Sequence, residues 1–193
     1  MVLVIIGLIL AAVLQGRQLI AGAQYKSFKS QLRGYATAFY AFRDRYNALP
    51  GDFDDADDRL DLSGANGDGD GVIEGGPTCD GASEEACLAW QHLRAADLIS
   101  GNPNDTGSSA SPQHPYGGVV SGFFTGSDGN GQWGHKIEIV NLPTDIAEQL
   151  DQDIDDEQCD DGRIAAQPKS DCDSGPPVAW PSGKNQLSII YAL

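Results

Sequence analysis

Positive charge is scarce in this sequence. Its 193 residues hold 12 Lys and Arg against 28 Asp and Glu, a formal net charge of −16. The shortage is uneven. Residues 1–50 carry +5, with Arg17, Lys26, Lys29, Arg33, Arg43 and Arg45 against Asp44, which leaves −21 for residues 51–193. A segment so acidic repels phosphate, which excludes electrostatic binding of nucleic acid or of an anionic membrane surface by those residues. Signatures of catalysis are missing too. There is no G-x-S-x-G, no C-x-x-C and no His pair at ligand spacing. His92, His114 and His135 fall in a predicted helix, loop and strand, where packing or surface roles account for them. Gly67 and Gly69 are interleaved with aspartates, which repel the phosphate that a Gly-rich loop cradles. Nothing here supports an enzyme, and no internal repeat is present.

Polar side chains are absent from the first 14 residues, Met1 to Leu14 (MVLVIIGLILAAVL). From Tyr25 the chain turns polar but keeps a stripe of Tyr25, Phe28, Leu32, Tyr35, Phe39, Phe42 and Tyr46, at alternating steps of 3 and 4. Extended backwards, the stripe passes through Leu14 and Gly7 in phase, which predicts one helix from about residue 1 to Ala48. At 1.5 Å per residue this rod is about 70 Å long, and its apolar end must project from any small head. Leu49-Pro50-Gly51 supplies the stop. The organisation expected is an apolar helix over 1–24, its amphipathic continuation over 25–50 and an acidic head over 51–193. The apolar run covers about 21 Å of a hydrocarbon core of about 30 Å. No basic segment precedes it and no small-x-small cleavage site follows, so the expectation is that the printed sequence begins inside a longer hydrophobic segment.

MVLVIIGLILAAVLQGRQLI, the long amphipathic helix and Tyr46-Asn47-Ala48-Leu49-Pro50-Gly51-Asp52 together resemble the N-terminal region of type IV pilin-like proteins, the pilins and the pseudopilins of type II secretion. Asp160-Asp161-Gly162 fits a turn that follows a short helix in part of that family. The family's leader, cleavage site and early glutamate are not in this sequence, and the resemblance implies about seven further residues before Met1, which restores a spanning length. It also implies N-terminal methylation, retention in the inner membrane with an extracytoplasmic head, and polymerisation with copies of itself or other pilin-like subunits into a pilus or pseudopilus. Gly7, Ala11, Ala12 and Gly16 permit close helix approach in such a bundle. The alternative is a monomeric, membrane-anchored extracytoplasmic protein that binds calcium or another ligand.

Four cysteines allow three pairings. The sequence-local choice, Cys79–Cys87 with Cys159–Cys172, closes two short loops, and an even count behind an export-type segment favours disulfides in an oxidising compartment. Asn66-Gly67-Asp68-Gly69-Asp70-Gly71-Val72-Ile73-Glu74 nearly matches the first half of a calcium loop and resembles dockerin loops. Its candidate Ca²⁺ ligands are Asn66, Asp68, Asp70, the Val72 carbonyl and Glu74, with Asp61 or Asp80 closing the shell because Pro77 stands where an EF-hand has its final Glu. The rival reading is a solvated acidic turn. Further on, the sequence predicts a helix capped by Ser83 and running to about Ile99, a loop over 101–115, and a hairpin of 118–125 and 132–141. A short helix with Ile146, Leu150 and Ile154 on one side follows, then a loop-rich stretch over 155–183 and a last strand over 186–193. The fold class expected is α+β, a long N-terminal helix packed on a small antiparallel sheet.

Overall fold

A computed structural model describes residues 2–75, 79, 81, 84–127, 133–155, 158–173 and 178–193. Its first element, α1, is a single helix over Val2–Tyr46. The helix ends two residues earlier than expected. Asn47 adopts a left-handed φ of 53° and donates its N–H to the Arg43 carbonyl at 2.8 Å, so the turn is made before Pro50 is reached.

The periodic stripe is the part of α1 that the head covers. Phe28, Leu32, Phe39 and Phe42 are fully buried and Tyr25 nearly so. Phe39 stacks on Phe123 at 5.4 Å, Tyr35 meets Trp90 edge-on at 5.0 Å, and Phe42 meets Phe53 at 5.8 Å. Each fully buried Phe contributes about 1.5–3 kcal/mol by leaving water, so the stripe supplies much of the force that holds rod to head. At the end of the stripe nearest the N-terminus a polar clamp closes the contact. The Tyr25 hydroxyl donates to Asp153 Oδ2 at 2.8 Å, and Lys29 pairs with the same oxygen at 2.7 Å.

The head contains α2 (Ala56–Leu60), α3 (Glu85–Ala95), β1 (Val119–Ser127), β2 (Trp133–Pro143), α4 (Thr144–Ile154), β3 (Ile164–Gln167) and β4 (Gln186–Ala192). The strands form one antiparallel sheet in the order β1-β2-β4-β3, in registers such as Val120↔Ile139, Ile137↔Tyr191 and Ala166↔Ile189. Alternation on β2 sends Ile137 and Ile139 to the core. A register shift follows, with Asn141 at φ 60°, and this extra residue returns Leu142 to the core side. The architecture is α+β as expected, with a shape compatible with a pilin-like fold.

Three details differ from expectation. First, α3 stops at Ala95 rather than near Ile99. Asp97 takes φ 58° and donates to the Arg94 carbonyl, and Leu98 donates to the Leu93 carbonyl, a Schellman-type end, while the Leu98 side chain packs against the main core. Second, the loop-rich stretch contains β3, which pairs with β4. Third, the carboxylates on α4 and just beyond it, which the sequence predicts to be a solvated acidic end, have partners. Asp151 is buried and accepts the Trp180 indole N–H at 2.9 Å, Asp153 holds the α1 clamp, and Asp155 accepts the Arg163 and Ile164 amides. The expected Ser83 cap, Pro77, Asp80 and most of the hairpin tip (128–131) lie outside the described residues.

Candidate functional site

Two features of the molecule are not explained by packing the head. The first is the upper half of α1. From Ile5 to Ile20 the large apolar side chains are 47–72 % exposed, and a methyl group at Gly7, Gly16 or Gly22 would meet nothing within 4 Å beyond the adjacent helix backbone. This helix is long and apolar enough to cross a membrane by length and composition, and none of its most apolar window is buried. The head does not bury this half of the helix, which suits a membrane anchor or an export signal. A run of uncovered apolar side chains of this kind marks a surface that meets lipid or another protein rather than water.

The second feature is acidic. The strap over residues 66–74 folds back on the turn that follows α1. Gly67 N–H donates to the Phe53 carbonyl at 2.9 Å, and a side chain at Gly67 would run into the backbone of Gly51 and Asp52. Further strap amides are held by two carboxylates from outside it. Gly71 N–H donates to Asp52 Oδ2 at 2.9 Å, while Asp68 and Glu74 N–H donate to the two oxygens of Glu85, each at 3.0 Å. Asp52 is 3 % exposed and Glu85 8 %. Ligand oxygens of Asp52, Asp68 and Glu85 lie within 4.8 Å of one another, a group that could hold a metal ion.

Of the residues expected to ligate, the structure brings only Asp68 into this trio. Asn66 is turned to α2, where its side chain exchanges hydrogen bonds with Asp57. Asp70 Oδ1 accepts the Val72 N–H at 2.8 Å, in a local turn. Glu74 is exposed, and its carboxyl is pushed up by the charges of Asp68, Asp70 and Glu85. Asp61 sits at the left-handed end of α2, φ 56°. Asp52 and Glu85 stand outside the nine-residue pattern and 33 residues apart, so no spacing rule could have joined them. A second carboxylate group, Asp55, Asp57 and Asp58, belongs to the short α2 and its approach.

His92 buttresses the same turn from below. Its Nδ1 accepts the Gly51 N–H at 2.9 Å, so Nε2 carries the proton and donates to the Ala65 carbonyl at 2.6 Å. Burial drives this imidazole down to about 4 from 6.5, against the Ala65 bond, which raises it. The unfolded chain therefore binds the proton first. This contribution to stability is complete above pH 6.5 and is lost as pH falls through about 4, with a magnitude of about 3 kcal/mol. Asp52 works in the opposite sense. Burial pushes its carboxyl up to about 6, with the Gly71 amide opposing and the Glu85 charge adding, so its contribution is present below pH 3.8 and lost as pH rises through about 6. Urea unfolding of wild type and His92→Gln at pH 7 and pH 4 separates the two, because only the His92 part disappears in the variant. The gap between the proteins is expected to shrink by about 3 kcal/mol on acidification.

Gly51 itself allows no side chain. It has φ 99°, and a Cβ there would collide with the Glu85 carbonyl. Gly51→Ala is expected to cost about 3 kcal/mol in denaturant unfolding, through left-handed strain and displacement of α3 together.

His114 Nε2 bonds the Val140 carbonyl at 3.0 Å and His135 Nδ1 bonds the Thr125 hydroxyl at 2.9 Å. Disulfides join Cys79 to Cys87 and Cys159 to Cys172, the sequence-local pairing. The first ties α3 to Cys79, beyond the strap, and the second spans β3; both fit an oxidising, extracytoplasmic compartment. Compared with protein-family models, curated proteins and solved structures, the chain matched none.

Proposed function

We propose that this protein is a structural, non-catalytic subunit of a type IV pilus-like or type II secretion pseudopilus filament. It is held in the inner membrane by the exposed half of α1 before assembly, with the head outside the cytoplasm, and polymerises with itself or with related subunits through that half. The observation that carries this reading is the single continuous helix whose lower half is sealed by the head and whose upper half, Ile5 to Ile20, is apolar and uncovered. Lipid covers it before assembly and neighbouring helices after, with the small residues Gly7, Ala11, Ala12 and Gly16 allowing close approach. A structural Ca²⁺ in the acidic strap region stiffens the head. With −21 on residues 51–193, the head binds no nucleic acid.

Cross-linking tests the assembly. All four native cysteines are in disulfides, so Leu14→Cys places one free thiol on the uncovered helix. Oxidation in intact cells is expected to give covalent dimers of the chain. Monomer alone, in cells that make pili, would instead favour the anchored monomeric binding protein.

A further inference from the structure

Asp52 and Glu85 are buried carboxylates with no cation against them. Among the described residues neither forms an ion pair. Arg43 lines the cleft of about 300 Å³ beside Asp52 but does not come within ion-pair distance. Backbone amides satisfy Asp52 Oδ2 and one lone pair on each Glu85 oxygen. Asp52 Oδ1 is buried and makes no hydrogen bond of normal geometry, although the Gly69 and Asp70 amides also face this carboxylate. Its carboxylate belongs to the trio whose oxygens lie within 4.8 Å of one another, and the third member, Asp68, is exposed. Two buried carboxylates at that separation repel each other and have given up water, a cost that a bound cation removes.

We propose that Asp52, Asp68 and Glu85 hold a Ca²⁺ ion, with Asp52 Oδ1 as its buried ligand. The inference rests on the structural-ion reading above and assigns its ligands. The geometry suits the ion. Oxygens 2.3–2.6 Å from one centre lie at most about 5 Å apart, which accommodates the 4.8 Å spread. Three carboxylates are a hard, fully anionic set, and the exposed Asp68 side leaves the remaining positions to water. Ca²⁺ accepts such an irregular shell of 6–8 oxygens, whereas Mg²⁺ demands a near-ideal octahedron. Nothing in the Asn66–Glu74 spacing requires this centre; the ligands come from the turn after α1, the strap and the first turn of α3. The ion is thus a staple between rod and head, joining three segments that the chain brings together only on folding.

Thermal unfolding of the full chain in detergent, with EGTA or with Ca²⁺, tests the assignment. Ca²⁺ at a hundredfold excess over Kd is expected to raise Tm by about 5–10 °C. Asp68→Asn and Asp52→Asn abolish that rise, whereas Asn66→Ala and Asp70→Asn retain it. Asp68 is exposed, so its variant folds even if Asp52→Asn does not. Absence of any rise or calorimetric heat with the wild type at millimolar Ca²⁺ overturns the site. So does a rise that survives Asp68→Asn or is lost in Asn66→Ala or Asp70→Asn. Filaments are scored separately in the same strains. Wild-type filaments without any Ca²⁺ effect overturn the ion and leave the subunit reading standing, and a Ca²⁺ effect without filaments does the reverse.

Discussion

Ile9→Asp combined with Val13→Asp is expected to strip the protein from the membrane fraction and abolish filaments, with the thermal unfolding of the head unchanged. Both positions lie on the uncovered half of α1, with Ile9 57 % and Val13 48 % exposed, so the head loses no packing. In a bilayer each aspartate near the centre of a spanning helix costs about 3 kcal/mol, and the pair costs roughly 6 kcal/mol, about four powers of ten in partition. Neighbouring helices in a filament replace lipid with an equally apolar surround, so assembly suffers in the same direction. Membrane fractionation and circular dichroism on one preparation read both halves of the prediction. A head that melts lower would mean that the upper helix packs on it, contrary to the exposure observed.

The second large effect belongs to the buried stripe. Phe39→Ala is expected to cost about 3–5 kcal/mol, a large part of the stability of a domain this size. Phe39 is fully buried, stacks on Phe123 at 5.4 Å and lies 5.2 Å from the His135 ring, so its loss opens a cavity between α1 and the sheet that neither rigid element can close. The adjacent Tyr40 points away and is 42 % exposed; Tyr40→Ala is expected to stay within about 1 kcal/mol. Urea unfolding of the two variants side by side gives the contrast. Equal costs would remove the stripe from its role as the joint between rod and head.

The stripe was legible because period and burial coincide. Every member from Tyr25 to Phe42 with the 3–4 spacing faces the head, and the run could be counted from the residues alone. The hairpin strands, α4 and the last strand announced themselves through alternation and turn chemistry. β3 did not, because Ile164-Ala165-Ala166-Gln167 has little intrinsic strand preference and owes its state to the β4 edge beside it. The early end of α3 was hidden for a related reason. Asp97 takes a left-handed cap inside the expected helix, and an aspartate carries a far weaker stop signal than a glycine. In the acidic strap the pattern drew attention to the right segment and to Asp68. Which carboxylates meet there depends on Gly51 and Gly67 letting backbones touch and on α3 bringing up Glu85, none of which is encoded in local spacing.

Electron microscopy of sheared surface filaments, followed by peptide identification, tests the proposed subunit role most directly. The account predicts filaments that contain peptides of this chain, including its disulfide-linked head, and their disappearance in the Ile9→Asp, Val13→Asp strain. Recovery of the chain only as a membrane-bound monomer, with filaments intact and free of its peptides, would contradict it.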